Sequence, residues 1–357
     1  MPDRAAIRDR AAGLLAHMQD RGAVRVETDI LQPADVLLDL YGEDIRARAF
    51  TTHDPETGEA MLRPDFTVPV VRAHMANGAE PARYTYAGKV FRAQAETAHR
   101  AREYWQVGYE LFDGADTAAA DAEVFALFHD LLAPMGLAPV TGDMGLLLAA
   151  VRGLDTLESR KAALTRHIWR PRRFRALLDR FAGRAPAPEG RAELLAGEVE
   201  ITAPLIGLRS RAEIAERIEK LREDAAAPPI PAVQVELLND IMGLHETMEN
   251  VAARLGDFAV DMPAIAPAVD RFEARAEALV ARGIDPASLP FEGSYGRTSM
   301  EYYDGFVFGF VAPTRPDLPP VATGGRYDAL TRLLGQGRSI PAVGGVVRPD
   351  LLEEVGR

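Results

Sequence analysis

The 357-residue chain contains no cysteine, and this absence removes disulfides, thiolate metal sites and thiol nucleophiles. Such a composition suits a reducing cytoplasm. No apolar run approaches the roughly 18 residues that a membrane-spanning helix requires. At the N-terminus, "MPDRAAIRDRAAGLLAHMQD" mixes acids and bases and spaces Ile7, Leu14, Leu15 and Met18 as a helix does, unlike the unbroken apolar core of a signal peptide. A soluble cytoplasmic protein that does not engage a membrane is expected. Positive charge is also in short supply. Lys plus Arg number 41 against 53 Asp plus Glu, a net charge of −12, which disfavours a surface built to hold nucleic acid. No G-x-x-x-x-G-K-[ST] loop, strand-following G-x-G-x-x-G or H-E-x-x-H occurs, and "GSYGR" at 293–297 lacks the spacing of a nucleophile elbow. The seven histidines form no ligand pair at helical spacing, so no metal is expected.

What is present is ordinary globular material, 47% apolar and 26% charged, of a length suited to about two domains. The stretch "VPVVRAHMANG" predicts a helix closed by Gly78. "RYTYAGKVFR" and "EYWQVGYELFDG", joined by a polar loop, predict an antiparallel pair of strands. A helix capped by Asp116 or Thr117 and closed by Gly136 should follow. From about 151 to 285 the chain turns to helix formers broken by "GRAPAPEGR" and "DAAAPPIPAV". This predicts a mostly helical insertion between two parts of one core, 1–150 and 286–357. β character returns in "SMEYYDGFVFGFVAP" and "PAVGGVV".

The alternation of a strand puts Trp105, Val107, Tyr109 and Leu111 on one face, and Gln106, Gly108 and Glu110 on the other. A glycine in mid-strand weakens it unless something approaches the backbone closely. The same rule groups Gly88 with Tyr84, Tyr86, Val90 and Arg92, and groups Gly305 and Gly309 with Tyr303 and Val307. If these faces coincide, Gly88, Gly108 and Gly305 form a pocket floor bordered by Arg92, Gln106, Glu110 and Tyr303. Glu110 suits an ammonium or an imidazole N–H, Arg92 a carboxylate or phosphate, and Tyr303 offers a ring edge and a hydroxyl. An amino acid fits such a border. A plainer reading makes Glu110 a solvated residue ion-paired with Arg92. Likewise "ATGGRYDAL" reads as a turn before a helix capped by Asp328. The segment "RHIWRPRRFRALLDRFAGR", 166–184, has an apolar stripe (Ile168, Phe174, Leu177, Leu178, Phe181) that leaves its arginines as a solvated face.

At these residues the sequence resembles class II aminoacyl-tRNA synthetases, and histidyl-tRNA synthetase in particular, over roughly 5–150 and 290–352. "LRPDFTVPVVRA" is similar to the family's "LRPEGT" segment, which implies histidine contacts for Asp65 and Thr67. "YAGKVFR" and the strand after it resemble the second class motif and imply contacts for Arg92, Gln106 and Glu110. "EYYDGFVF" and "TGGRYDALTRLLG" resemble the two histidine-specific signatures and imply contacts for Tyr302, Tyr303, Arg326 and Tyr327. The implied fold is α+β, a class II synthetase-like antiparallel sheet flanked by helices. Departures from the pattern fall on the nucleotide side. Thr298 stands where the active enzymes have an arginine, with Arg297 one residue off; Gln94 replaces the acid that fixes adenine; and Leu351 takes the place of the third motif's arginine. The anticodon-binding domain that follows that motif is expected to be absent. Together these features resemble the paralogous family of ATP phosphoribosyltransferase regulatory subunits. That resemblance implies no catalytic residues and no cofactor. It also implies a homodimer, a hetero-octamer with the short-form catalytic subunit, and histidine as effector.

Overall fold

The computed structural model describes residues 3–34, 49–56, 58–94, 101–197, 207, 209–297, 302–335 and 337–356. The strands are β1 (Val24–Arg25), β2 (Leu31–Pro33), β3 (Thr51–Asp54), β4 (Gly58–Leu62), β5 (Ala82–Phe91), β6 (Glu103–Phe112), β7 (Ala138–Asp143), β8 (His245–Thr247), β9 (Pro290–Glu292), β10 (Phe306–Val311), β11 (Ala322–Arg326) and β12 (Ala342–Val347). The helices are α1 (Arg4–Asp20), α2 (Thr67–Asn77), α3 (Thr117–Leu132), α4 (Met144–Arg152), α5 (Glu158–Arg166), α6 (Pro171–Phe181), α7 (Arg191–Ala196), α8 (Arg211–Ala226), α9 (Ala232–Gly243), α10 (Met248–Asp261), α11 (Ala266–Val280), α12 (Asp328–Leu334) and α13 (Pro349–Val355). None of the described helices is long and apolar enough to cross a membrane.

Nine strands form one sheet in the order β1-β5-β6-β12-β11-β10-β7-β9-β8, while β2, β4 and β3 make a small second sheet. All pairings from β5 through β7 are antiparallel; β1 with β5 and β7 with β9 are parallel, so the sheet is mixed toward its edges. The β3–β4 hairpin is not evident in the sequence, because a four-residue and a five-residue strand leave too few alternations to detect. Likewise β8, three residues within the expected helical segment, extends the main sheet through β9.

One face of the sheet is covered by α1, α3 and α13, with α11 packed on α3. Alternation in β10 sends Phe306, Phe308 and Phe310 to this side, where Phe125 meets all three rings at 5.5–5.9 Å between centroids. Truncating such a fully buried ring to alanine costs about 3–5 kcal/mol. Asp116 caps α3 by accepting from the Ala119 N–H at 2.9 Å. Gly78 closes α2, and Gly136, at φ 75°, turns the chain after α3. With that face closed by helices, the functional groups are left to the reverse face.

Candidate functional site

On the reverse face a cavity of about 680 Å³ opens between the sheet, the start of α2 and the loops after β9 and before β10. At its base sits Glu110, 1% exposed. Its Oε1 accepts from the Thr67 hydroxyl at 2.9 Å and the Tyr86 hydroxyl at 2.8 Å, and its Oε2 accepts from the Tyr327 hydroxyl at 2.5 Å. No Arg, Lys or His pairs with it among the described residues. Burial therefore pushes its carboxyl up to about 7, although the three hydroxyls pull the other way; nearby Asp65 adds to the rise. The carboxylate is seated by geometry as well. Gly344 lies opposite Glu110 across the β6–β12 pair, and a Cβ there would fall 1.7 Å from Oε2.

The rest of the lining spans the sheet. Asp65, Thr67, Arg92, Gln106, Glu110, Tyr302, Tyr303 and Tyr327 all line this one cavity. Tyr302 and Tyr303 meet edge to face at 5.0 Å, and Tyr302 also meets Tyr327 at 6.1 Å. Gln106 is 3% exposed and its Oε1 has no hydrogen-bond partner among the described residues, an unmet buried acceptor in the cavity that Asp65 and Glu110 also line. Also in the lining, the Arg348 guanidinium stacks 4.2 Å from the Tyr104 ring centroid and donates to Asp350 at 2.7 Å; Arg92 approaches the same ring at 5.9 Å. The lining therefore combines the acceptors Asp65, Gln106 and Glu110 with the cations Arg92, Arg297 and Arg348. Among the described residues no three acidic or histidine side chains are grouped to hold a metal.

Several expectations need correction. Arg326 is not in the cavity: β11 alternates, so Tyr327 and Gly325 face it while Arg326 points away, its guanidinium bonded to Asp121 at 2.9 Å, Asp328 at 3.0 Å and the Thr117 carbonyl at 2.9 Å. Gly305 faces that same arginine, since a Cβ there would meet the Arg326 side chain at 3.0 Å. Gly309 is the glycine of this region on the cavity side, filled by the Tyr295 hydroxyl. Gly88 and Gly108 are not open floor either. Arg63 and Phe66 cover Gly88, and the Tyr86 ring lies over Gly108, where a Cβ would come within 2.2 Å of it. The glycines seat side chains of the protein. The pairing of Glu110 with Arg92 does not occur; Arg92 donates to the Pro64 carbonyl at 3.2 Å instead. Gly324 and Gly325 belong to β11, and α12 begins at Asp328, its first N–H groups capped not by Asp328 but by the Asp304 carboxylate, which accepts from the Asp328 N–H at 2.9 Å and the Ala329 N–H at 2.7 Å.

On the nucleotide side, Leu351 is 1% exposed within the core and Gln94 donates to the Ala101 carbonyl at 2.9 Å, whereas Thr298 lies outside the described residues. Arg297 lines the cavity, yet its Nε donates to the Ile168 carbonyl at 2.9 Å, its Nη1 reaches the Met242 sulfur at 3.2 Å, and it stacks 4.8 Å from the Phe174 ring centroid. Burial lowers its pKa to about 10. Arg348, Tyr104 and Tyr86 were not singled out in the sequence as site residues. Tyr86 lies directly across from Gly108, a relationship fixed only by the register of β5 on β6.

The chain's relatives match this architecture. The histidyl-tRNA synthetase family model matches residues 1–198 and 198–352. The Brucella anthropi ATP phosphoribosyltransferase regulatory subunit is 34% identical over a 365-residue alignment covering 95% of each chain. The chain belongs to the ATP phosphoribosyltransferase regulatory subunit family. The regulatory subunit of Brucella canis is similar at 33% identity over 95% of each chain. Among solved structures, an ATP phosphoribosyltransferase regulatory subunit/histidyl-tRNA synthetase from Bacillus halodurans superposes with a TM-score of 0.69 at 21% identity, covering 98% of this chain and 79% of that one. A histidine–tRNA ligase subunit from Alicyclobacillus acidocaldarius gives 0.63 at 23% identity, covering 99% and 94%. These last two share the fold, and the regulatory subunit family shares the sequence.

Proposed function

We propose that this chain is a non-catalytic regulatory subunit that activates a short-form ATP phosphoribosyltransferase, holds free histidine around Glu110, and passes that occupancy on as feedback inhibition. The observation that carries the histidine site is the state of Glu110. A carboxylate has about four lone-pair positions; three accept hydroxyls from Thr67, Tyr86 and Tyr327, leaving one for a single N–H. An imidazole N–H fits that vacancy better than an ammonium, which needs several acceptors. The ammonium then falls to Asp65 and the unmet Gln106 Oε1, and the carboxylate to Arg92. Coupling of about 1–3 kcal/mol between this site and the partner would suffice for feedback. Homodimerisation, assembly into a hetero-octamer and a cytoplasmic location belong to the same proposal.

Support for a non-catalytic role comes from the cations. The site of the third-motif arginine is Leu351, buried in apolar packing, and the guanidinium of Arg297 is committed to Ile168 and Met242. Adenylyl transfer depends mainly on such charge stabilisation and positioning. A second reading, an amino-acid-activating enzyme, would require the Arg297 guanidinium, which lines the cavity, to abandon those partners for the nucleotide. Mixing the purified chain with a short-form catalytic subunit and following ATP-plus-PRPP turnover tests the proposal. Turnover should rise with the chain present and fall with histidine. Robust histidine-dependent ATP–pyrophosphate exchange by the chain alone would favour the second reading and overturn the first.

A further inference from the structure

The segment 166–184 carries seven arginines against one acid, Asp179, on a chain whose net charge is −12. Arg166, Arg172, Arg173 and Arg175 are exposed, and among the described residues none of them has an ion-pair partner; Arg175 donates only to the Asn239 side chain at 2.9 Å. Folding does not require this charge. Helices α5, α7, α8, α10, α12 and α13 carry an acid in the first turn, which favours the positive end of a helix dipole, while the other seven described helices, α6 among them, carry none. Helix α6 has no acid there and places Arg172 and Arg173 at that end, against the dipole and against each other. The apolar side of the helix is already satisfied, with Phe174, Leu178 and Phe181 buried. Residues that break a stability rule without a folding gain point to function.

The surroundings are short of acceptors too. The Trp169 Nε1 and the Arg297 Nη2, buried beside this segment, have no hydrogen-bond partner among the described residues. The segment is also joined to the cavity. Pro171, the first residue of α6, lines it, and Arg297, which lines it too, bonds the Ile168 carbonyl and stacks on Phe174.

We propose that the exposed arginine face of α6 is the surface that receives an acidic patch of the phosphoribosyltransferase catalytic subunit, so that the contact lies one side chain from the ligand cavity. This rests on the regulatory reading above. A folded partner is favoured over RNA because the chain's overall negative charge opposes a long polyanion, while a compact acidic patch meets only the local positive field. Screening of such a contact by salt is expected.

The test compares the full-length chain with Arg172→Glu/Arg173→Glu, and with a Lys/Lys version of the same pair, in binding to the purified short-form catalytic subunit at low and moderate salt. The expected result is tight, salt-weakened association for the unsubstituted chain, at least tenfold weaker and salt-insensitive association for the Glu pair, and near-normal association for the Lys pair. Both exposed sites favour an acid in a first turn, so the Glu pair should melt no lower than the parent. Equal affinity and equal salt dependence for parent and Glu pair would overturn the proposed surface while leaving the regulatory reading intact. No association of the parent chain at all would remove that reading and this surface together. Tight tRNA binding lost in the Glu pair, with the catalytic subunit bound indifferently, would assign the surface to RNA and overturn the proposal.

Discussion

Tyr86 donates its hydroxyl to Glu110 at 2.8 Å while its ring lies flat across Gly108, stacked 4.4 Å from Phe66 at an interplanar angle of 11°. The glycine, the ring and the carboxylate are therefore one unit. Removing the Cβ of residue 108 allows the ring to lie down, and the ring in turn aims its hydroxyl at the buried acid. The seating of the Glu110 carboxylate depends on that arrangement.

Gly108→Ala should break it. The new Cβ would lie 2.2 Å from Tyr86 Cζ, and the ring is fully buried, so it has nowhere to retreat without displacing Phe66. Overpacking of this kind costs about 1–3 kcal/mol. Urea unfolding should show that loss, and histidine binding should weaken in the same protein.

Tyr86→Phe keeps the ring and removes only the hydroxyl donor. A hydrogen bond to a charged group is worth about 1.5–3 kcal/mol, and its absence should raise the Glu110 carboxyl further. The variant should be less stable at alkaline pH, where Glu110 is ionised, than at acid pH, where it is protonated. An equal loss at both pH values would show that the hydroxyl does not serve the carboxylate.

The pH dependence of the parent chain follows from the same group. Glu110 titrates at about 7 in the folded protein, whereas an unfolded glutamate titrates near 4.3. Between these values the native state holds a proton that the unfolded chain has released, so stability falls as pH rises through that window. At about 1.36 kcal/mol per unit the whole effect is on the order of 3 kcal/mol. Glu110→Gln abolishes this titration. Its stability should change less than the parent's between pH 5 and pH 8, with its advantage appearing at the alkaline end. Identical pH slopes in urea unfolding would contradict the assignment.

Much of this site was legible from strand alternation and motif resemblance, but not the roles of the glycines. Sequence spacing correctly paired β5 with β6 and put Gln106, Gly108 and Glu110 on one face. It could not say what fills the space above a glycine, because Tyr86 lies across Gly108 on the partner strand and only the register fixes that. Arg326 was misplaced for a related reason. The resemblance named a string of neighbouring residues, while a strand sends neighbours to opposite faces. The β3–β4 hairpin and β8 escaped because strands of three to five residues leave little period to read.

Arg326 finds its role in a buried ion cluster instead. Asp121 accepts from Arg326 and from Arg275, and Arg275 also donates to Asp143 at 2.6 Å, tying α11 to the caps and strands beneath the cavity. Arg275→Leu would leave two buried carboxylates short of their cation. Breaking a buried pair in this way costs about 3–5 kcal/mol. Chemical unfolding should register that loss, and a change below about 1 kcal/mol would mean that the cluster is not cooperative.

The central claim is that a free histidine is gripped by its ring N–H at Glu110. Calorimetric titration of the isolated chain with histidine tests it most directly, using the parent, Glu110→Gln and Tyr327→Phe. Loss of a bond to a charged group predicts affinity weakened about tenfold or more in both variants, against one histidine bound per parent chain. Binding of histidine with unchanged affinity by Glu110→Gln would contradict it.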